Sequence, residues 1–195
     1  MMNEAGIAFV NGTGIWFPNE VPPVLQGIVA LANKISNFNN ETGLIHLKQL
    51  LGGQLTQLVR EGSANIEGAA AWVGLGQVLL SPALGELNRM VHFHDDFFSS
   101  PDYIRGATVH ELAHVMDFNA NPFMRLSNNI PIDAQFSIGP GAHDGRSYEW
   151  FAEFTAQWVY QPAQGMNPYR AAWNLAPDIW PGGADQFLVD NLVGP

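Results

Sequence analysis

The 195-residue chain contains no cysteine, so it has no disulfide framework, no thiolate nucleophile and no zinc site of the Cys-bearing finger type. Any bound metal must sit on His, Asp or Glu. Positive charge is scarce: eight Lys and Arg stand against eighteen Asp and Glu, a formal net charge of −10. That sign opposes the counterion release by which proteins hold phosphate backbones, and no nucleic-acid partner is expected. Long apolar runs are missing as well. The longest, Gly68 to Leu80, has thirteen residues interrupted by Gln77 and three glycines, short of the ~20 that cross a bilayer, so no membrane span is expected. Charged residues make up only 13% of the chain, where ~25% is usual, while sixteen Asn and ten Gln keep the surface wet. That balance is commoner in exported proteins, and a secreted chain is expected. Glu4, with no basic cluster before an apolar run, does not make a secretory signal of the N-terminus. An exported chain of this kind is expected to have lost its signal or to be part of a larger secreted protein.

The length and a 47% hydrophobic content fit one α+β domain over 1–195, with a mainly helical subregion at 1–65 and a chemically richer core at 66–195. Ile7-Ala-Phe-Val10 and Ile15-Trp-Phe17 read as short β runs joined into a hairpin by Asn11-Gly-Thr-Gly14. Apolar residues recur at helical spacing from Pro23 to Asn37. The same spacing from Leu44 to Arg60 predicts one kinked helix or two short ones, weakened at Gly52-Gly53. Ala71-Trp-Val73, Gln77-Val-Leu-Leu80 and Met90-Val-His-Phe-His94 read as strands. Ser100 suits an N-cap, Pro101 the first helical position and Asp102 the positive end of a helix that runs to Phe118. Residues 119–147 are rich in Pro, Gly and Asn with little periodicity, an irregular length read as functional. A last strong helix spans Ser147 to Tyr160, and Trp173, Trp180, Phe187 and Leu188 are expected to pack the tail onto the domain.

The helix predicted from Pro101 carries His110-Glu111-Leu112-Ala113-His114, an HExxH sequence. Histidines at i and i+4 share a helix face and can hold one zinc ion, while the intervening Glu can take a proton from a water activated there. At 100° per residue Val109, Leu112, Ala113 and Met116 form a core side, with His110, His114 and Asp117 on an adjoining one. A catalytic zinc site needs a third protein ligand. The metzincin solution, a His six residues after His114, is excluded because Ala120 stands there and Asp117 stands where that pattern has Gly. Glu149 and Glu153 are the better source: they lie i, i+4 on a helix so rich in Phe and Trp that carboxylates on it need partners. The spacing leaves open which of the two is the ligand, with Asp144 and His143 next in line. His92 and His94 alternate onto one strand face next to Asp95 and Asp96. A second metal site is one reading; the favoured one is a polar edge strand near the cleft that pairs with substrate backbone. His46, in a leucine-rich helix, reads as structural.

HExxH followed by a later Glu-bearing helix resembles the gluzincin group of zinc metallopeptidases. Within it, His110 to Asp117 and Glu149-Trp-Phe-Ala-Glu153 are similar to the catalytic domain of anthrax lethal factor and its relatives, the secreted Pro-Pro endopeptidases. The resemblance covers roughly the second half of the chain, and reaches back to Ala71–Leu80 as the strand beside the cleft. It implies a zincin-like fold, a small twisted sheet over the HExxH helix, and peptide-bond hydrolysis with a protein or peptide as substrate. It also implies Zn2+ on His110, His114 and Glu149, Glu111 as the general base, and Asp117 and Glu153 as carboxylates that orient the imidazoles. That family places an oxyanion-supporting Tyr shortly before the third ligand, whereas this chain has Ala142-His143-Asp144; His143 is the natural substitute and Tyr148 the second. Two rival readings are a secreted toxin or cargo domain that binds with weak or lost chemistry, and a structural zinc domain. The latter is disfavoured because only three donors are evident where structural sites fill four.

Overall fold

The computed structural model describes residues 2–36, 40–63, 71–73, 89–120, 125–130, 147–160 and 183–193. Its elements are α1 (Met2–Ala5), β1 (Ile7–Asn11), α2 (Val21–Ile35), α3 (Asn40–Leu50), β2 (Thr56–Arg60), β3 (Ala71–Val73) and β4 (Met90–Phe93), then α4 (Pro101–Ala120), α5 (Ser147–Val159) and α6 (Ala184–Leu192). Single 3-10 turns at Asp95–Phe98 and Leu126–Asn129 precede and follow α4. The class is α+β: helices pack on a small sheet of order β1-β2-β4-β3, parallel except where β3 meets β4.

The sheet departs from the sequence expectation at its first strand. β1 does not fold back on Ile15–Phe17; it pairs in parallel with β2, Phe9 opposite Leu58. The reason lies in the loop after it. Gly12 and Gly14 donate their amides to the Arg60 carbonyl, while the Thr13 amide and hydroxyl go to the Glu61 carboxylate at 2.9 and 2.6 Å. The turn-forming segment thus wraps the end of β2. Trp16 then plugs the strand ends, its Nε1 donating to the Val10 carbonyl at 3.0 Å and its ring edge-on to Phe9, Phe93 and Phe98.

The second departure is at Leu44–Arg60, where the structure has a helix and then a strand. Gly52 and Gly53 take φ of +90° and +73°, the left-handed region that side chains avoid. The Gly53 amide reaches the Lys48 carbonyl at 2.8 Å and the Gly52 amide that of Gln49 at 2.9 Å, so the pair caps α3. Leucine spacing that suggests a continuing helix instead serves two elements, with Leu47 and Leu51 buried before the cap and Leu58 buried in β2 after it. Residues 1–65 are therefore helix-rich but also supply β1 and β2, and the sheet is shared across the 65/66 boundary.

Leu58, Val91 and Phe93 enter the core from the sheet, with Ile28 and Leu31 of α2 and Leu112 and Met116 of α4. Helices α2 and α4 cross closely because Gly27 lies at the contact: a Cβ there would stand 2.7 Å from the Arg105 carbonyl oxygen. Ser100 caps α4 as expected, accepting the Tyr103 amide on its hydroxyl at 3.2 Å. From Ala107 to Phe118 every residue of α4 is buried, which makes it the central helix, covered by α2 on one side and α5 on another. Strand β3 lies against it at the edge of the sheet. Leu188 is buried and Phe187 packs edge-on to Phe151, placing part of the tail on the core as a helix; Trp173, Trp180 and Gln77–Leu80 lie outside the described residues.

Candidate metal centre

A helix buried on all sides must satisfy its polar side chains internally. Thr108 does so locally, its hydroxyl donating to the Ile104 carbonyl at 2.6 Å. His110, Glu111, His114 and Asp117 are each at most 8% exposed; His110 and His114 meet α5, and Asp117 meets the segment 125–130. The 3.6-residue period brings His110 and His114 to one side of α4, with ring centroids 4.7 Å apart and the two Nε2 atoms 3.1 Å apart. Helix α5 crosses beside them and presents Glu149, whose Oε2 is 3.4 Å from both Nε2 atoms.

These three atoms form a triangle of sides 3.1, 3.4 and 3.4 Å. Donors bound tetrahedrally at 2.0–2.1 Å from a zinc ion are ~3.3–3.4 Å apart, so the triangle has the size of one face of such a tetrahedron. The group could hold a metal ion, and it is the one cluster of three or more potential ligands among the described residues. Glu153, one turn further along α5, sits on the far side of His110 with its Oε1 3.3 Å from Nδ1. A proton held on Nδ1 by that carboxylate leaves the Nε2 lone pair aimed into the triangle. Glu149 and Glu153, i and i+4 on α5, thus stand differently: one faces both Nε2 atoms, the other the Nδ1 of His110.

Three lone pairs converging in a buried space repel unless a cation lies between them. Burial opposes charge on His110, yet Glu149 and Glu153 outweigh it and hold the imidazole well above its usual pKa. Glu149 is correspondingly held far below the usual carboxylate range: burial would raise it, but His110 and His114 prevail. The sign of the consequence follows. A raised His pKa stabilises the metal-free fold below about pH 6.5 and is lost as pH rises through the folded value, whereas metal binding gains as that proton leaves. The difference in melting temperature between metal-loaded and chelator-treated protein is expected to widen as pH rises above about 6.5. A constant difference, read by thermal unfolding at each pH, would contradict His110 as a ligand.

Asp117 stands elsewhere than at an imidazole nitrogen. Its two oxygens accept the Ser127 amide and hydroxyl at 2.8 and 2.7 Å, and burial raises its pKa against the pull of Ser127, Arg125 and His114. Glu111 is buried beside His110, and its charge also reaches Tyr103, whose phenol is pushed above its ordinary range by burial first and then by Glu111, Glu153 and Asp96. The Tyr148 ring stands edge-on to His114, centroids 5.8 Å apart. His143 and Asp144 lie outside the described residues, as does most of the irregular stretch 119–147.

The histidines before α4 are placed differently from the expectation. Strand β4 is interior, flanked by β2 and β3, so it is not the edge that could accept a substrate strand; the edge beside α4 is β3. His92 Nδ1 meets Glu61 Oε1 at 2.8 Å, and the same carboxylate binds the Thr13 loop, which with His92 lowers its pKa to about 2. Asp95 is drawn to Arg60 at 2.8 Å, and Arg60 is held on its other side by Glu20. His92 and Asp95 thus join the packing at the carboxyl ends of the strands. His46 fastens the tail, its Nε2 2.9 Å from the Leu192 carbonyl oxygen. Ser127 and Arg125 carry no sequence signal, because nothing in their spacing reveals that they meet the HExxH helix.

Compared with family models, curated proteins and solved structures, the chain finds no match. The functional reading therefore rests on the site.

Proposed function

We propose that the chain is a zinc-dependent metalloendopeptidase with a zincin-like fold, in the gluzincin manner, acting on a protein or peptide substrate. The observation that carries the reading is the triangle of His110 Nε2, His114 Nε2 and Glu149 Oε2, with Glu111 beside it on the same helix. Two imidazoles and one carboxylate suit zinc, and a three-donor set leaves a fourth position open, as catalytic sites do. Zinc, when bound, would lower the pKa of a water at that position towards ~7 and polarise the scissile carbonyl.

The remaining work falls to the chain's own groups. Glu111 accepts the proton of the attacking water and returns it to the departing amine nitrogen as the C–N bond breaks, which balances the hydrolysis. Glu153 keeps His110 turned towards the metal. His143 is the first candidate to support the oxyanion and Tyr148, whose ring packs against that of His114, the second. Strand β3 offers a short sheet edge beside α4 along which an extended peptide can lie. The low fraction of charged residues and the amide-rich composition favour a secreted enzyme.

The test is metal analysis of the purified chain followed by cleavage of a peptide library. About one zinc per chain and metal-dependent cleavage, lost with a chelator and restored by zinc, are expected. Zinc without turnover on any peptide would favour a binding domain instead, and no zinc uptake would remove the basis of the proposal.

A further inference from the structure

The two ligand-bearing helices must keep their separation to tenths of an ångström for the triangle to persist, and a short segment outside both of them bridges the pair. Residues 125–130 pack on α4 and α5 together. Ser127, 1% exposed, gives both its amide and its hydroxyl to the Asp117 carboxylate, which is fully buried one helical turn beyond His114. Arg125 lies over the Phe118 ring, 4.1 Å from its centroid, and Ile130 enters the core. The clasp closes on the last turns of α4, at a carboxylate three residues beyond His114. His114 Nδ1, meanwhile, is buried with no hydrogen-bond partner among the described residues, so its ring is held by packing and by the field around it.

We propose that Ser127 is a positioning residue of the metal centre, fixing through Asp117 the end of α4 that carries His114 relative to the Glu149 helix. The inference rests on the metal-site reading above and extends it to a residue that touches no ligand. Ser127 contributes two donors to one buried carboxylate. Removing the hydroxyl leaves one carboxylate oxygen without its donor and frees the turn to shift. The centre then loses the pre-set spacing of its donors, a contribution of the kind that outer partners make to metal affinity.

The experiment measures zinc affinity by chelator competition, and the visible spectrum of the cobalt-substituted protein, for the full chain and for Ser127→Ala, Ser127→Thr and Asp117→Asn. Ser127→Ala is expected to weaken zinc binding roughly 10-fold and to shift the cobalt bands, Ser127→Thr to restore both, and Asp117→Asn to weaken binding at least as much as Ser127→Ala. Asp117→Asn keeps an acceptor of the same shape, so it carries the test if Ser127→Ala does not fold. Unchanged zinc affinity and an unchanged cobalt spectrum in Ser127→Ala, even with a lowered melting temperature, would overturn the inference and leave Ser127 a packing residue. Absence of zinc binding by the unmodified chain would instead overturn the metal-site reading itself, and with it this extension.

Discussion

Glu111→Gln is expected to retain zinc and the fold while losing peptide cleavage by roughly 10²–10⁴-fold, the span that a positioned general base contributes. The substitution is nearly isosteric and Glu111 is not one of the three converging donors, so the triangle of His110, His114 and Glu149 stays intact. What disappears is the carboxylate that the proposed mechanism uses as its base. Because Glu111 is buried, at 8% exposure, bulk water cannot readily take over the transfer. The measurement is kcat on a cleaved library peptide, with zinc content determined on the same sample. Near-native kcat at full zinc occupancy would show that another group is the base. Loss of zinc together with activity would mean that Glu111 supports the metal and would leave its role as a base without support.

The second large effect separates the two carboxylates of α5. Glu149→Ala is expected to strip most of the zinc, since two imidazoles alone hold the ion poorly, whereas Glu153→Ala should leave it bound with affinity reduced about 10–100-fold. The distances give the reason: Glu149 Oε2 is 3.4 Å from both Nε2 atoms, while Glu153 Oε1 is 3.3 Å from His110 Nδ1, on the side of the ring away from the triangle. His110→Ala and His114→Ala should match Glu149→Ala in zinc loss. Zinc content by elemental analysis decides the matter, and loss in Glu153→Ala with retention in Glu149→Ala would exchange the two roles.

Much of this site is legible in the amino-acid sequence, because its main contacts are local. His110 and His114 are brought together by the period of one helix, and Glu149 and Glu153 by the period of another, so each pair is encoded within five residues. The same locality makes Ser100 visible as the cap of α4 and α4 itself visible as a helix. What the chain itself determined is therefore the donor types, their pairing on helix faces, and the exclusions that follow from having no cysteine, little positive charge and no long apolar run.

Tertiary structure decided whatever depends on contacts between distant segments. The choice of Glu149 over Glu153 as the donor at the triangle needs the crossing of α5 on α4, a rigid-body arrangement that no single-helix period specifies. The pairing of Asp117 with Ser127 is likewise tertiary, because residues 125–130 bring two donors to a buried carboxylate of α4. The Asn-Gly turn that suggests a hairpin instead enfolds Glu61, since the carboxylate at the end of β2 competes for the amides a tight turn would use. The interior place of β4, and with it the position of His92 inside the sheet, follows from parallel pairing with β2 across a long intervening stretch of chain. Parallel pairing has no local turn to announce it. Helix period and capping act over a few residues and can be read in one dimension, whereas strand order and helix crossing are chosen by which apolar faces bury one another.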